Sequence, residues 1–413
     1  MNENLEAKII FASSFLPYGR HLIEEDDVEA VVEVLHGEYL TTGPTVEAFE
    51  AELALTVRCN YAVSVSSGTA ALHLANLALD LTPGDIAIVP SVTFLSTANA
   101  ALFTGAEVVF ADVDPETGLM TPETFEEALY RSNKRARVVC PVHLNGQAVD
   151  MQGVSKVTGF SELKVIEDAC HVIGGMQEIS NDTFAPVGSN AYGHMSTFSF
   201  HPVKTIAMGE GGAITTNDPK LDSKLRTYRN IGMTRDPGKF QSPHRARDLE
   251  GEIKPWYYEM AALGLNYRAS AIHCALGLSQ LRKLDRFVKK RAELIEHYRA
   301  RMNPLVPVIR PLPQVSHCKP AWHLCVALID FKAAGVSRSG CMRALKDKGI
   351  ETQVHYIPLH RQPFYENRYG QIVLPGADTY YEKVLSLPLF VTMETEDVDF
   401  VVDSLISVLG AGG

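Results

Sequence analysis

Between Tyr61 and Asn217 the sequence alternates short apolar segments with longer helix-forming segments. Short apolar runs rich in β-branched residues are typical of parallel strands, and the helices between such strands cover both faces of the sheet. A repeated strand–helix order is compatible with few architectures. The sequence therefore predicts an α/β fold with a large, mainly parallel sheet, whose strand candidates include Ile86–Val89, Glu107–Phe110, Val138–Val142 and Lys164–Glu167.

The residues on either side of this region predict further helices and a second, smaller unit. Apolar residues recur at helical spacing in Glu24–His36, and Pro44 opens a helix that runs to about Val57. The proline-rich run Pro304–Pro320 marks the entry to a smaller α/β domain. We therefore expect an N-terminal segment with a large domain over residues 1–285, and a bridging helix with a small C-terminal domain over residues 286–413. The later elements predicted are helices at Leu221–Tyr228, Ala269–Leu284, Leu284–Arg301, Ser337–Lys348 and Thr395–Leu409, strands at Trp322–Ile329 and Glu351–His355, and a loop at Gly238–Lys254.

The charge balance and the cysteines restrict the class of partner and the compartment. With 38 Lys and Arg against 49 Asp and Glu, the net charge is −11, so no surface for nucleic acid or for an anionic membrane is expected. No uninterrupted apolar stretch is long enough to cross a bilayer. The seven cysteines lack paired spacings and the histidines lack a His-Glu-x-x-His pattern, so no metal site is predicted. Reduced thiols of this kind predict a cytoplasmic protein.

The segment Ser199–Gly212 holds a single lysine, Lys204, between an aromatic-rich strand and a glycine-rich turn. Apolar neighbours such as Phe200 and Val203 predict partial burial, which disfavours the ammonium form and makes the amine nucleophilic. A nucleophilic amine of this kind forms a Schiff base with a carbonyl, above all with pyridoxal 5'-phosphate (PLP). Taken alone, the segment also fits a surface lysine at the end of a strand.

Asp168 lies at the predicted carboxyl end of a buried strand, within Val165-Ile-Glu-Asp-Ala-Cys-His171. PLP chemistry needs a carboxylate against the pyridine nitrogen, because the negative charge keeps that nitrogen protonated and the ring able to accept electrons. His171, three residues later, is spaced to lie beside or over the ring. In isolation, the same two residues fit a helix N-cap and a satisfied core histidine.

A third segment, Ser66-Ser-Gly-Thr69, separates a predicted strand from an alanine- and leucine-rich helix. Hydroxyls and free backbone N–H groups at a helix N-terminus carry a partial positive charge that suits a phosphate. Ser67 is also an ordinary helix N-cap, and capping is compatible with phosphate binding. The chain order of a phosphate-binding turn, then Asp168, then Lys204 supports the PLP interpretation.

These segments resemble the DegT/StrS family of PLP-dependent nucleotide-sugar aminotransferases, and the motif Ser199-Phe-His-Pro-Val-Lys204 followed by Gly209-Glu-Gly-Gly212 carries most of the resemblance. The resemblance extends from about Pro17 to about Pro388, nearly the whole chain. It implies the PLP-dependent transferase fold of the aspartate aminotransferase superfamily, with a large PLP-binding domain. It also implies pyridoxamine 5'-phosphate as the form that carries the amino group between two substrates.

The resemblance implies a role for each matching residue. Lys204 forms the Schiff base and Asp168 pairs with the pyridine nitrogen. Phe94 matches the aromatic residue that stacks on the ring, although a lone Phe would be read as core packing, and His171 matches a polar contact of the ring. The implied phosphate contacts are Gly68, Thr69 and Ser199.

The segment Gly264-Leu-Asn-Tyr-Arg268 resembles the loop with which members of this family reach into the active site of a neighbouring subunit. This implies a homodimer with shared active sites. Either Asn266 or Arg268 would contact the phosphate or the substrate across the interface, and the sequence leaves both open. The family often has Thr-Asp after this loop, where this chain has Ser270-Ala271.

A resemblance to one subgroup of the family is carried by Pro17–Arg20, Leu40–Gly43, Gly232–Arg235, Trp256–Glu259 and Gln353–Pro358. This resemblance implies amination at C4 of a UDP-linked 4-keto-6-deoxy-N-acetyl hexose in pseudaminic acid biosynthesis. Glutamate is the amino donor that the resemblance implies. Arg235 is a candidate for the diphosphate, because a guanidinium binds oxyanions in a bidentate manner. His355 and Tyr356 are candidates for hydrogen bonds to the sugar or the nucleotide. The other candidate substrate contacts are Tyr18, Leu40, Thr41, Thr42 and Gly43.

Three alternatives compete with this interpretation. An aminotransferase for a different nucleotide-4-ketosugar would share nearly all of these residues. A PLP-dependent sugar dehydratase of the same broad family has a histidine in place of the lysine, so Lys204 argues against it. A non-catalytic regulatory protein with this fold is expected to lack Lys204 or Asp168, and both are present.

Overall fold

The computed structural model describes residues 15–159 and 163–410, and these residues form an α/β structure. The ends of the two predicted domains, residues 1–14 and 411–413, lie outside the described residues. The strands are β1 Tyr61–Val65, β2 Ile86–Pro90, β3 Glu107–Ala111, β4 Ala136–Val139, β5 Lys164–Asp168, β6 Met176–Ser180, β7 Thr183–Pro186, β8 Met195–Ser199, β9 Gly212–Thr216, β10 Met233–Thr234, β11 Glu259–Met260, β12 Ile309–Pro311, β13 Cys318–Lys319, β14 Cys325–Ile329 and β15 Val384–Leu387.

The helices alternate with the strands of the first half and dominate the second half. They are α1 Glu25–His36, α2 Pro44–Val57, α3 Gly68–Ala78, α4 Leu95–Leu102, α5 Pro122–Arg131, α6 Met151–Thr158, α7 Pro219–Arg229, α8 Ala271–Leu281, α9 Leu284–Met302, α10 Arg338–Asp347, α11 Pro363–Tyr369, α12 Pro375–Lys383 and α13 Thr395–Leu409. Short 3-10 turns occupy Pro237–Lys239, Asn303–Leu305 and Leu359–Arg361.

A seven-stranded sheet in the order β1-β9-β8-β5-β4-β2-β3 forms the centre of the molecule. The neighbours from β8 to β3 are all parallel, whereas β9 runs antiparallel to both β1 and β8. The sheet is therefore mainly parallel, as the alternating sequence pattern predicts. Because β1, β2, β5 and β8 run in the same direction, their carboxyl ends meet at one edge of the sheet.

The antiparallel strand β9 brings a glycine to this edge. Gly212 pairs with Val65 at the end of β1 and with Ser199 at the end of β8. A Cβ atom at position 212 would lie 2.4 Å from the carbonyl oxygen of Ser67, so the close approach of the backbones requires glycine. The turn after β1 and the segment that carries Lys204 are thereby held against each other.

A smaller antiparallel sheet, β12-β14-β15, lies in the second half of the chain. Helix α9 begins at Leu284, next to the proposed domain boundary, and packs against α13 and β12. One cluster of buried apolar side chains extends from the large sheet, with Val63 and Ile166, to the small sheet, with Leu328. The two sheets thus share a continuous core.

Several elements of the structure differ from those predicted, and helices α11 and α12 are among those that the sequence pattern does not predict. The predicted strand at Glu351–His355 is reduced to one bridge, in which Gln353 exchanges both backbone hydrogen bonds with Ser386. Only one residue pairs because His355 and Tyr356 then turn towards a cavity. The sequence pattern also does not predict the hairpin of β6 and β7, which pairs with β13.

The apolar stripe of α1 does not face the core of the chain. Val28, Val32 and Leu35 are exposed, whereas Asp27 and Val34 are buried. The helix is attached to α8 by polar contacts: Asp27 accepts hydrogen bonds of 2.6 Å from Ser279 and 2.7 Å from Gln280. The stripe is therefore left on the surface of the single chain.

A group of carboxylates lies at the start of α1, where Glu24 is the N-cap and Asp26 and Asp27 are in the first turn. Lys283 pairs with all three, with Nζ–O distances of 3.1 Å to Glu24 and 2.9 Å to Asp27, so the group is an ion-pair network at the start of the helix. Within residues 15–159 and 163–410, no helix is both long and apolar enough to cross a membrane.

Candidate active site

A cavity of about 540 Å³ lies at the carboxyl edge of the large sheet. Its lining comes from residues 67–97, from residues 142–210 and from residues 323–362, together with Tyr18. The first two groups follow the ends of β1, β2, β5 and β8, whereas the third comes from the part of the chain after α9. Ligands of open α/β sheets bind at this edge because the strand ends deliver functional groups there.

Lys204 lies in a tight turn between β8 and β9. Its backbone N–H donates a 2.8 Å hydrogen bond to the carbonyl of His201, and Met208 N–H donates to the carbonyl of Phe200. The side chain is half-buried and lines the cavity. Burial lowers the pKa of Lys204 below its ordinary value, although the nearby Cys170 and Asp168 act in the opposite direction. A larger fraction of its amine is therefore neutral and nucleophilic.

Asp168 ends β5 and is only 4% exposed. Its Oδ2 accepts a 2.8 Å hydrogen bond from Thr97 Oγ1, and its Oδ1 accepts one of 3.2 Å from the backbone N–H of Cys170. Thr93 Oγ1 lies 2.8 Å from Thr97 Oγ1 and extends the network. The carboxylate is thus fixed from two sides at the floor of the cavity.

The turn between β1 and α3 combines hydroxyls with a glycine. Ser67 Oγ accepts a 3.1 Å hydrogen bond from Ala70 N–H and caps α3, while the first N–H groups of a helix have no intrahelical partner. A Cβ atom at Gly68 would lie 2.8 Å from Cβ of Ser199, so the turn sits directly against the end of β8. Thr69 Oγ1 lies 2.6 Å from Ser96 Oγ.

His171, Tyr356 and His323 form one contact group in the cavity wall. Nε2 of His171 lies 3.0 Å from the hydroxyl of Tyr356, and its ring centroid lies 4.4 Å from that of His323. Burial lowers the pKa of His171 and of His323 well below the usual range, so both rings are neutral. Burial also raises the pKa of Tyr356 well above its usual value.

The other wall of the cavity is aromatic. Phe94 is 55% exposed, and its ring centroid lies 5.9 Å from that of Tyr356. Tyr18 and His355 lie 5.6 Å apart by the same measure, and Nδ1 of His355 lies 2.8 Å from Ser386 Oγ. Burial lowers the pKa of His355 to about 3. An exposed aromatic ring beside a cavity is well placed to cover a flat ligand.

Many of the residues singled out in the sequence meet in this cavity. Those that line it are Tyr18, Gly68, Thr69, Phe94, Asp168, His171, Ser199, Lys204, His355 and Tyr356. Those that lie outside its lining are Leu40, Thr41, Thr42, Gly43, Arg235, Asn266 and Arg268.

Most of the residues outside the cavity form one neighbourhood on the surface. Thr41 pairs with Ser270 in an isolated bridge, and Ala271 N–H donates a 3.0 Å hydrogen bond to the carbonyl of Leu40. Asn266 is exposed, and Arg268 Nη1 donates a 2.8 Å hydrogen bond to Asn230 Oδ1. Leu40 and Thr41 therefore lie next to the segment that follows Arg268, and neither segment contributes to the cavity lining.

Sequence reasoning did not assign Thr97 or His323. Thr93 and Thr97 are four residues apart and directly follow β2, which places both hydroxyls on one side of the first turn of α4. This four-residue spacing after a strand could therefore have identified Thr97 as a residue of the site. His323 follows Trp322 just before β14, and a lone histidine beside an apolar strand carries no signal that separates it from a core residue.

The residues of the cavity fit PLP. A lysine with a lowered pKa faces the same space as a fixed carboxylate, and a glycine-containing helix start lies against Ser199. The buried Nδ1 atom of His171 has no hydrogen-bond partner among residues 15–159 and 163–410, so a polar group on a ligand would complete its hydrogen bonding. A site of this composition at the edge of a mainly parallel sheet defines a PLP-dependent enzyme.

The comparisons identify which PLP-dependent enzyme this is. The DegT/DnrJ/EryC1/StrS aminotransferase family matches residues 21–406, and the chain belongs to this family. Spore coat polysaccharide biosynthesis protein SpsC of Bacillus subtilis (strain 168) is 37% identical over 398 residues, which cover 96% of this chain and 97% of that protein. The chain is therefore a PLP-dependent sugar aminotransferase, as the motif around Lys204 predicts.

Two solved structures illustrate the range of the fold. Helicobacter pylori PseC, an aminotransferase involved in the biosynthesis of pseudaminic acid, has a TM-score of 0.84 at 27% identity, with 96% of this chain and 99% of that chain covered. NtdA of Bacillus subtilis, solved with its bound cofactor PMP, has a TM-score of 0.77 at 28% identity, with 94% and 83% covered. These likenesses confirm the α/β aminotransferase fold and the cofactor.

Proposed function

We propose that this chain transfers the amino group of glutamate to C4 of a UDP-linked 4-keto-6-deoxy-N-acetyl hexose, as a step of pseudaminic acid biosynthesis. The observation that carries this proposal is the likeness to H. pylori PseC over 96% of the chain. The polar groups of Tyr18 and His355, which line the same cavity as Lys204, support a sugar as the second substrate.

PLP, when bound, supplies an electron sink for the carbon that loses its proton. We assign two tasks to Lys204: it attaches the cofactor, and its neutral amine moves the proton of the substrate. Proton transfer by a positioned group contributes roughly 10²–10⁴-fold in rate. The lowered pKa of Lys204 supports this assignment because only the neutral amine accepts a proton.

We assign the remaining cavity residues to holding the cofactor. Asp168, fixed by Thr97, would hold the proton of the pyridine nitrogen. Phe94 would cover the ring, and His171 would contact its polar edge. The phosphate would lie at the start of α3, against Gly68, Thr69 and Ser199.

We further propose that the active protein is a homodimer whose two sites each use residues of both subunits. Either Asn266 or Arg268 would then contact the phosphate or substrate of the neighbouring site, and Leu40–Gly43 and Arg235 would contact the substrate. The exposed stripe of α1 supports this proposal, because contiguous apolar surface marks a contact region. Other large apolar side chains exposed within the predicted large domain are Ile231, Trp256, Met260 and Leu263.

Mixing two inactive variants tests the shared site. Lys204→Ala and Arg268→Ala would be purified separately, then dissociated and reassociated together. If Arg268 acts across the interface, half of the mixed dimers' sites are intact, and the equimolar mixture recovers about a quarter of the wild-type activity. If both residues act within one chain, each site of the mixed dimer carries one defect and no activity returns. Repeating the experiment with Asn266→Ala decides between the two residues.

A second candidate is amination of a different nucleotide-4-ketosugar. The 37% identity to SpsC, a protein of spore coat polysaccharide biosynthesis, favours this alternative. The residues assigned to the cofactor would be the same in both cases, because the two candidates differ only in the sugar that enters the cavity. The expected cytoplasmic location and the domain division near residue 285 are part of both proposals.

The deciding experiment uses enzyme loaded with pyridoxamine 5'-phosphate. UDP-linked 4-keto-6-deoxy-N-acetyl-L-altrosamine and, separately, its D-gluco-type epimer would be added, and the return of the pyridoxal absorbance would be followed. Fast return with the L-sugar alone is the expected result. Preference for the epimer would keep the aminotransferase activity and overturn the assignment to pseudaminic acid biosynthesis. No return with either sugar would overturn both sugars as substrates and favour a different nucleotide-4-ketosugar. Formation of 2-oxoglutarate from glutamate, in amounts equal to the cofactor, tests the donor.

A further inference from the structure

The hydroxyl of Tyr356 is bound to a residue of the protein. The sequence predicts a substrate contact for this tyrosine, but in the structure its oxygen lies 3.0 Å from Nε2 of His171. The other ring nitrogen of His171, Nδ1, is buried and has no hydrogen-bond partner in the part of the chain that the structure describes. One nitrogen of this histidine is therefore committed to Tyr356, and the other is left for a ligand.

The direction of this hydrogen bond follows from the acidity of the two groups. Burial keeps His171 neutral and keeps the proton on Tyr356. A neutral imidazole has one donor and one acceptor nitrogen. A phenol is a stronger acid than a neutral imidazole N–H, so the favoured arrangement has the hydroxyl donating and Nε2 accepting. The proton of the ring is then on Nδ1.

We propose that Tyr356 is a positioning residue for His171, and that its hydroxyl holds the imidazole in the Nδ1–H tautomer so that a free N–H donor is kept for an acceptor oxygen of the bound cofactor. A buried donor without an acceptor is unfavourable, and this donor is satisfied only when the ligand is present. The tyrosine therefore acts through His171.

His323 restrains the same ring from another side. The ring centroids of His171 and His323 are 4.4 Å apart with an interplanar angle of 59°, and both side chains line the cavity. His171 follows β5 of the large sheet, whereas His323 and Tyr356 come from the chain after α9. The second half of the chain thus sets the orientation of a side chain that the first half supplies.

The tautomer of His171 can be observed directly. The full-length protein would be labelled with ¹⁵N-histidine and studied by long-range ¹H–¹⁵N correlation NMR, with and without PLP, and the variant His171→Gln would identify the signal. The Nδ1–H pattern is expected in the wild type, and Tyr356→Phe is expected to shift the ring towards the Nε2–H form. An Nε2–H pattern in the wild type, or an unchanged Nδ1–H pattern in Tyr356→Phe, would overturn the proposal.

The two half-reactions separate positioning from substrate binding. If Tyr356 acts through His171, Tyr356→Phe slows the amino-donor and the ketosugar half-reactions alike, by about 3- to 10-fold, the effect expected of one neutral hydrogen bond. If Tyr356 binds the sugar, only the ketosugar half-reaction is slowed, and the positioning role is contradicted. The half-reaction experiment rests on the proposed function, whereas the NMR measurement needs no substrate. The proposed function and the positioning role of Tyr356 can therefore fail separately.

A double-mutant cycle and a matched control complete the test. In the His171→Gln background, Tyr356→Phe is expected to have no further effect, because the hydroxyl has lost the group through which it acts. Additive losses would contradict the proposal. Tyr192→Phe is the control, since it removes a hydroxyl that donates a 2.8 Å hydrogen bond to the carbonyl of Ile179, and Tyr192 does not line the cavity.

Discussion

Thr97 donates a 2.8 Å hydrogen bond to Oδ2 of Asp168, so a residue of α4 holds the carboxylate that ends β5. We expect Asp168→Asn to lower kcat by about 100-fold or more, because it removes the charge assigned to the pyridine nitrogen. Thr97→Val is expected to lose only about a factor of 5, since one hydrogen bond of about 1 kcal/mol is removed. Steady-state rates at saturating PLP measure both effects.

The control for Thr97→Val is Thr227→Val. Thr227 Oγ1 donates a 2.8 Å hydrogen bond to the carbonyl of Ser223 within α7, outside the cavity. Thr227→Val therefore removes a similar hydrogen bond and leaves the contacts of the Asp168 carboxylate unchanged. A rate for Asp168→Asn equal to that of the wild type would contradict the role assigned to the carboxylate.

Lys204→Ala is expected to lower turnover by about 10²–10⁴-fold, because the variant lacks the amine that attaches the cofactor and moves the proton. The visible absorbance of the cofactor should also lose the band that depends on attachment to lysine. Lys220→Ala, which changes an exposed lysine outside the cavity, is the matched control. Transamination at the wild-type rate in Lys204→Ala would exclude this assignment.

Gly68→Ala is expected to weaken PLP binding by a factor of about 5 to 150. The added Cβ atom would lie 2.8 Å from Cβ of Ser199, and relief of such overpacking costs about 1–3 kcal/mol. Titration of cofactor-free protein with PLP measures the change. Gly37→Ala serves as the control, because the nearest atom to its Cβ is 3.4 Å away and its φ of −82° suits alanine. Equal affinity of Gly68→Ala and the wild type would show that this turn does not hold the phosphate.

The histidines of the cavity predict a loss of stability in acid. His355 has a pKa of about 3 in the folded protein, below its ordinary value of 6.5. Below pH 6.5 His355 binds a proton in the unfolded chain but stays neutral in the folded chain. The contribution of His355 to the free energy of unfolding therefore falls as the pH falls from 6.5 towards 3. From about pH 7.5 to pH 5.5 this one residue lowers the free energy of unfolding by about 1.4 kcal/mol.

Urea unfolding of the cofactor-free protein at these two pH values tests the histidine prediction. In His355→Asn, whose amide can still reach Ser386 Oγ, the difference in unfolding free energy between the two pH values should shrink by that amount. His36→Gln replaces an exposed histidine and is the matched control. An equal pH dependence in His355→Asn and the wild type would contradict the prediction.

The elements that the sequence predicts well are those whose signal is local. The strand that ends at Asp168 is predicted from its adjacent apolar residues Val165 and Ile166, and the helix Thr395–Leu409 has the predicted bounds. The β6–β7 hairpin is also a local pairing, with Ser180 opposite Thr183, but its own sequence has no strong alternation of apolar and polar residues. Its further pairing with Cys318 and Lys319 joins distant parts of the chain, and pairing of this kind leaves no local pattern to read.

The site divides in the same way. Lys204, Asp168 and Gly68 are recognisable because their chemistry depends on immediate neighbours in the sequence. The bond between Tyr356 and His171 joins residues 185 positions apart, so no spacing could reveal it. The exposed face of α1 is a further case, because helical periodicity shows that a face is apolar but not which surface covers it.

The cavity lining runs from Tyr18 to Gln362, so a bound ligand holds distant parts of the chain together. A molecule that binds only the folded state adds its binding free energy to that of folding, about 4 kcal/mol when its concentration is a thousand times its dissociation constant. The supply of cofactor would then govern how long each molecule survives proteolysis in the cell. The amount of this enzyme in the cell, as well as its activity, would then depend on the supply of PLP.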